Sequence, residues 1–141
     1  MMAIFLCAML ACQRPPELPV RVVTVYHAVP EQTDATPTAT ADGSRLTPAI
    51  IHNRRYCAVS QDLLWFRGGP LHYGDSVLVD IDSELAGLWI VHDTMHENVT
   101  GYVDLLVPQD VTVCWVAEGV KVRHPGRCRQ GVKVYAPGAV P

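Results

Sequence analysis

The sequence predicts a mainly β protein, a small closed barrel of six strands with one or two short helical turns. Three observations carry this expectation. Hydrophobic residues make up 49% of the 141 residues and charged ones only 18%, which excludes a disordered chain and supplies apolar material for one core. Pro (11) and Gly (10) are frequent while runs of helix formers are scarce, the composition of short strands joined by tight turns. Apolar, β-branched segments also recur between turn signals, without the helical stretches that a parallel sheet with crossover helices needs.

The strands follow in order. Val20 to Tyr26 alternates Val20, Val22, Thr24 and Tyr26 against Arg21, Val23 and Val25, and Pro30 closes it. Glu31 to Pro48 lacks periodicity, holds the turn Asp42-Gly43, and reads as a long irregular connection whose Thr36, Thr38 and Thr40 offer hydroxyls to a ligand or to solvent. Tyr56 to Val59 is a short buried strand with Cys57 as a small apolar residue. Ser60-Gln61-Asp62-Leu63 opens a helical turn capped by Ser60 and running to Phe66, and Gly68-Gly69-Pro70 breaks it. Ser76 to Ile81 and Ala86 to His92 are strands, the second ending at Asp93-Thr94. Tyr102 to Val107 is apolar apart from Asp104, and Val111 to Val122 supplies one or two closing strands around Glu118-Gly119. Trp65, Phe66, Trp89 and Trp115 are core residues by default. One of the Trp could instead form a platform for a ligand, but the sequence does not select it.

The organisation is then a signal-like segment (1–12), a Pro-rich linker (13–19), the barrel (20–123) and a Gly/Pro-rich tail (124–141) that could add a strand. A net charge of -3, from 11 Lys and Arg against 14 Asp and Glu, provides no electrostatic footprint for nucleic acid. Cys114 and Cys128 flank a Gly-rich turn and could pair in an oxidising compartment, and the absence of any CxxC pair removes the usual zinc spacing. His92 and His96 would meet at a metal only on a helix, which the strand pattern opposes. No metal and no cofactor are expected.

Two resemblances give these residues a function. Met9-Leu10-Ala11-Cys12 resembles a bacterial lipoprotein signal, which implies export to the cell envelope and a membrane anchor on lipidated Cys12, in the periplasm or at the outer membrane. The order Thr24-x-Tyr26, Thr-rich loop, Ala58-Val59-Ser60, Gly74-Asp75-Ser76-Val77, Asp93-Thr94 and Val103-Asp104-Leu105 resembles the three-aspartate domain and the related rare-lipoprotein-A-like domain. These are double-psi β-barrels of bacterial cell-wall proteins, including lytic transglycosylases. The resemblance spans roughly Val20 to Val122 and implies peptidoglycan glycan strands as the partner. It makes Asp93 the acid/base that protonates the glycosidic oxygen and then accepts a proton from the sugar's own attacking hydroxyl. Met95-His96 stands where transglycosylase-type members carry a Gly pair, which lets a sugar approach the backbone.

A carboxyl ending the apolar run Trp89-Ile90-Val91 is also expected to be desolvated on chemical grounds alone. Asp104 is either its partner carboxylate or a structural Asp accepting backbone hydrogen bonds. Thr24, Tyr26, Thr94 and His96 are candidates for substrate contact, with Tyr26 stacking on a sugar; strand packing or solvation is the alternative for each. Ser60 and Asp62 occupy the place of the family's third aspartate, where helix capping is an equal explanation. The readings left open are a glycan-cleaving enzyme, a binding module of the same fold without turnover, and an envelope lipoprotein scaffold.

Overall fold

A computed structural model describes residues 15–29, 36–111 and 116–125. The signal-like segment with Cys12, the cysteines Cys114 and Cys128, Trp115 and nearly all of the C-terminal tail lie outside the described residues. The protein is mainly β, as its composition predicts. Its elements are β1 (Val22–Tyr26), α1 (Pro48–Asn53), β2 (Tyr56–Val59), β3 (Ser76–Asp80), β4 (Gly87–Thr94), β5 (Tyr102–Leu106), β6 (Val116–Glu118) and β7 (Lys121–Arg123), with 3-10 turns at Gln61–Leu63 and Trp65–Arg67.

Among the described residues the strands form one seven-stranded sheet of order β6-β1-β5-β2-β4-β3-β7, where six strands were expected. The closing stretch is two strands, yet they do not pair with each other. β6 pairs with β1 and β7 with β3, at opposite ends of the sheet. Only Gly119 and Val120 separate Glu118 from Lys121, so the sheet must curl until its two edges lie within roughly 11 Å, the reach of three peptide units. Gly119 makes that crossing with φ +70, a conformation costly to a residue with a Cβ. The chain before β1 completes the curl: Leu18 N–H donates to the Val122 carbonyl at 2.7 Å and His124 N–H to the Pro16 carbonyl at 3.1 Å. Leu18, within the stretch read as linker, is consequently buried in the core.

The sheet is mixed. β1 pairs with β5, and β2 with β4, in parallel, and β2 with β5 antiparallel. The connections between the parallel partners run through other strands, turns and short helical segments rather than a long crossover helix, so the scarcity of helical sequence did not exclude parallel pairing. One face packs the main core, in which Val23, Cys57, Val59, Val77, Val79, Val91, Val103 and Leu105 are fully buried. The opposite face carries a smaller cluster of Tyr26, Leu46, Ala58 and Leu106, against which Ile50 and Ile51 of α1 pack. This helix was not foreseen, because six residues are too few for a 3.6-residue pattern. Its start is nonetheless written in Thr47-Pro48: the Thr47 hydroxyl accepts from Ile50 N–H at 3.2 Å, and Pro48 stands in the first turn.

Ser60 does not cap its turn through its side chain. Its hydroxyl is fully buried, accepts from Tyr102 N–H at 3.0 Å and donates to the Tyr102 carbonyl at 3.3 Å, while Ser60 N–H reaches the same carbonyl at 3.0 Å. Ser60 therefore extends the β2–β5 ladder by one position. Ser60→Ala is expected to strand the Tyr102 amide and lower unfolding free energy by about 1–3 kcal/mol, measured by urea titration; a change under 0.5 kcal/mol would contradict this role. Asp62 likewise serves structure, accepting from Gly101 N–H at 3.2 Å with both oxygens.

Candidate functional site

The site begins with strand register. Thr24 of β1 stands opposite Asp104 of β5, Asp104 opposite Ala58 of β2, and Ala58 opposite Asp93 of β4. These four residues thus form one row across four adjacent strands. Two strand spacings separate the aspartates, on the order of 10 Å between their α-carbons, with only the Ala58 methyl between them.

A bulge completes the row. Cys57 pairs with Val91 but Ala58 pairs with Asp93, so β4 carries one extra residue, His92, at this point. Regular pairing would set His92 opposite Ala58 and turn Asp93 towards the main core. The strand therefore continues through Thr94 instead of ending at His92.

Both carboxylates line one cavity of about 760 Å³, bordered also by Tyr26, Thr40, Thr94, Met95 and His96. One wall is a miniature hairpin in the Thr-rich loop: Ala39 bridges Arg45, and Leu46 N–H donates to the Thr38 carbonyl at 2.7 Å. This wall is tied to β4 at two points. Asp42 pairs with Nδ1 of His92, whose ring stacks on Tyr56 at 3.8 Å between centroids. Ala41 N–H donates to Asp93 Oδ1 at 2.9 Å. Burial pushes the Asp42 carboxyl up, but bonds from Thr40 and Ser44 and the nearby His92 outweigh it and hold the group below its usual range.

The candidate residues take different places. Asp93 Oδ1 also accepts from Thr94 N–H at 2.8 Å. Burial pushes the Asp104 carboxyl up to about 6, against the opposing effect of the Thr24 hydroxyl, which donates to Asp104 Oδ1 at 2.7 Å. A desolvated carboxyl is thus found on β5. Burial, and then the charges of Asp93 and Asp104, raise the Tyr26 phenol, so it stays protonated. At 8% exposure Tyr26 borders the cavity but does not present a free ring face for a sugar to stack on. Thr94 donates its hydroxyl to the Val59 carbonyl at 3.2 Å, and His96 is an exposed rim residue. Thr24 acts on the cavity through Asp104.

Cys57 is a free thiol buried in the main core, and burial raises its pKa, the state of an inert structural cysteine. His92 is taken up by Asp42 and Tyr56. Among the described residues no three His, Cys, Asp or Glu side chains gather as a metal site, and no helix is long and apolar enough to cross a membrane. Sequence reasoning missed Ala58 and the Asp42–His92 pair. The Asp42-Gly43 turn was visible, but its partner lies 50 residues away.

The Thr24 contact makes a direct test. Thr24→Val removes a hydrogen bond that favours ionised Asp104, so the carboxyl is expected to titrate about 0.5–1 pH unit higher. Carbon-detected NMR titration of the side chain would show it; an unchanged or lowered midpoint would sink the assignment.

Fold and cavity together define a small mainly β protein with a two-carboxylate cavity on one face of a curled sheet. Comparison with protein families, with curated proteins and with solved structures finds no match for the chain.

Proposed function

We propose that the protein acts on peptidoglycan glycan strands at the bacterial cell wall, cleaving them as a lytic transglycosylase does. The observation that carries this reading is the row of Asp104, Ala58 and Asp93, which sets two carboxyl groups on either side of a space floored by one methyl. The resemblance of the motif order to three-aspartate domains supports it. A carboxyl titrating at about 6 is part-protonated near neutral pH, which suits a general acid.

In this reaction Asp104 gives its proton to the glycosidic oxygen as the bond from that oxygen to C1 of the muramic sugar breaks. The C6 hydroxyl of the same sugar attacks C1 and closes an anhydro ring, and its proton passes to Asp93. Solvent exchange returns both groups to their starting states. The separation of the two aspartates suits groups that flank the scissile bond without sharing a proton. Export, and attachment through lipidated Cys12, belong to the same proposal.

A second reading, a binding module without turnover, draws on the Asp93 oxygen that accepts from Ala41 and Thr94: such a carboxylate orders a loop whether or not it reacts. Incubating the full chain with purified sacculi and analysing soluble products by mass spectrometry separates the two. The enzyme reading expects anhydro-muropeptides from the parent and strongly reduced yields from Asp93→Asn and Asp104→Asn. Sedimentation with sacculi and no products would leave the binding module. Products that persist with Asp104→Asn but vanish with Asp93→Asn would return both proton transfers to Asp93, as the resemblance implies.

A further inference from the structure

The sequence offers three tryptophans and no means of choosing between them. Trp89 is buried, donates its indole N–H to the Leu85 carbonyl at 2.9 Å and lies under the Arg55 guanidinium at 4.7 Å from the ring centroid. Trp115 lies outside the described residues. Trp65 differs from Trp89: it is 43% exposed and its neighbour Phe66 is 46% exposed, although both were expected in the core. The residues that enter the core from this turn are Leu63, Leu64 and Leu71, each at 0% exposure.

This surface is preorganised. Trp65 N–H donates to the Leu71 carbonyl at 2.9 Å, Leu71 N–H to the Leu63 carbonyl at 3.0 Å, and Gly69 N–H to the Leu64 carbonyl at 2.9 Å. The His72 ring stacks on the Trp65 indole, 12° from coplanar and 5.0 Å between centroids, while Phe66 and Tyr73 meet it edge-on at 5.1 and 5.2 Å. His72 stacks against the indole, and Trp65 still keeps 43% of its surface exposed. Two large aromatic side chains held rigidly in water form a surface suited to binding.

The patch adjoins the cavity. Gln61 of the preceding turn donates to the Met95 carbonyl at 3.2 Å, and Arg67 of the aromatic turn pairs with Glu97 at 3.4 Å. Met95, His96 and Val99 line the cavity on that loop. The segment 95–99 therefore has the aromatic turn on one side and the two-carboxylate cavity on the other. A ligand reaching both must be extended.

We propose that Trp65, backed by His72 and flanked by Phe66, is an outer pyranose subsite for the glycan strand whose scissile region lies in the cavity. This rests on the glycan reading given above and adds to it the surface that holds the strand. A β-linked hexosamine presents a face of axial C–H groups that matches an open indole, and its repeat supplies a second sugar beyond the one in the cavity. Anionic polymers with stacking bases fit less well: the turn's cation, Arg67, is paired with Glu97, and the adjoining cavity carries two aspartates.

The test uses the full chain and β-1,4-linked N-acetylglucosamine oligomers of one to six sugars, with affinity read by calorimetry and the Trp65 indole N–H followed by NMR. The hexamer is expected to shift that resonance, and Trp65→Ala to weaken hexamer binding about tenfold while leaving the monomer's binding unchanged. Trp65→Phe should recover most of the loss. Equal hexamer affinity for parent and Trp65→Ala overturns the subsite while leaving the glycan reading intact. Trp65-dependent binding without anhydro-muropeptides from sacculi keeps the subsite and removes cleavage. A parent that binds no oligomer and leaves sacculi untouched removes both. Should Trp65→Ala fail to fold, Phe66→Ala affinity and the indole shift of the parent decide: an unmoved Trp65 resonance at saturating hexamer overturns the proposal.

Discussion

Asp104→Asn is expected to stabilise the folded protein at pH 7.5 while suppressing glycan cleavage by a factor of about 10²–10⁴. The stability effect follows from proton linkage. Burial raises the Asp104 carboxyl from its ordinary 3.8 to about 6 in the folded state. A carboxyl raised in this way contributes stability that is fully present below its unfolded value and lost as pH rises through the folded one. Between pH 4 and 6 the parent therefore loses stability, and above pH 6 it holds a largely buried charge at a cost of about 3 kcal/mol. Asn has no charge to desolvate and keeps an oxygen that can accept from Thr24, so the variant escapes that loss. Denaturant titrations of both proteins at pH 3.5 and 7.5 measure the difference, which should grow in favour of the variant at the higher pH. A variant whose stability relative to the parent is the same at both values would mean that Asp104 is not desolvated. The parent's cleavage rate should fall as pH rises above 6, because the acid is then ionised; a rate that climbs through pH 6 to 8 would take the acid role from Asp104.

Gly69→Ala is expected to cost about 3 kcal/mol, lowering the melting temperature by roughly 10 °C or more. The cause is space. A Cβ at Gly69 would collide with the backbone carbonyl group of Leu63 and stand 2.6 Å from the Asp62 carbonyl oxygen. Neither can yield easily, since Leu63 and Leu64 are fully buried and Gly69 N–H is bonded to the Leu64 carbonyl. The turn that presents Trp65 would have to open. Gly68→Ala is the informative companion: its Cβ meets nothing within 4 Å, but its φ is +86, so its cost is conformational and nearer 1 kcal/mol. Differential scanning calorimetry orders the two; equal losses would show that crowding at Leu63 is not the determinant.

Residues in or against strands were legible where alternation was clear. Val22, Thr24 and Tyr26 share a face of β1, and Asp104 interrupts an otherwise apolar β5, so both the strands and the unusual carboxyl were marked. Asp93 was visible from the motif Asp93-Thr94. The role of Ser60 was misread because a Ser before a helical turn is a frequent cap, whereas here its hydroxyl meets Tyr102, 42 residues on. Trp65 and Phe66 were assigned to the core because aromatic residues usually bury. Local pattern could not show that Leu63, Leu64 and Leu71 already occupy the interior at that turn.

Short-range information, the period-two alternation of apolar residues and the Pro and Gly between them, was enough to determine a mainly β chain and to mark Asp104 as a carboxyl in an apolar strand, while Asp93 was singled out by the resemblance of its motif. The joining of those two groups was decided by tertiary structure alone. Thr24, Ala58, Asp93 and Asp104 come from strands far apart in sequence, and their common row depends on the register of three strand pairs and one bulge at His92. A slip of one residue in any pair would turn a carboxyl to the other face of the sheet, and register is set by burial of Val59, Val91, Val103 and Leu105 on that opposite face.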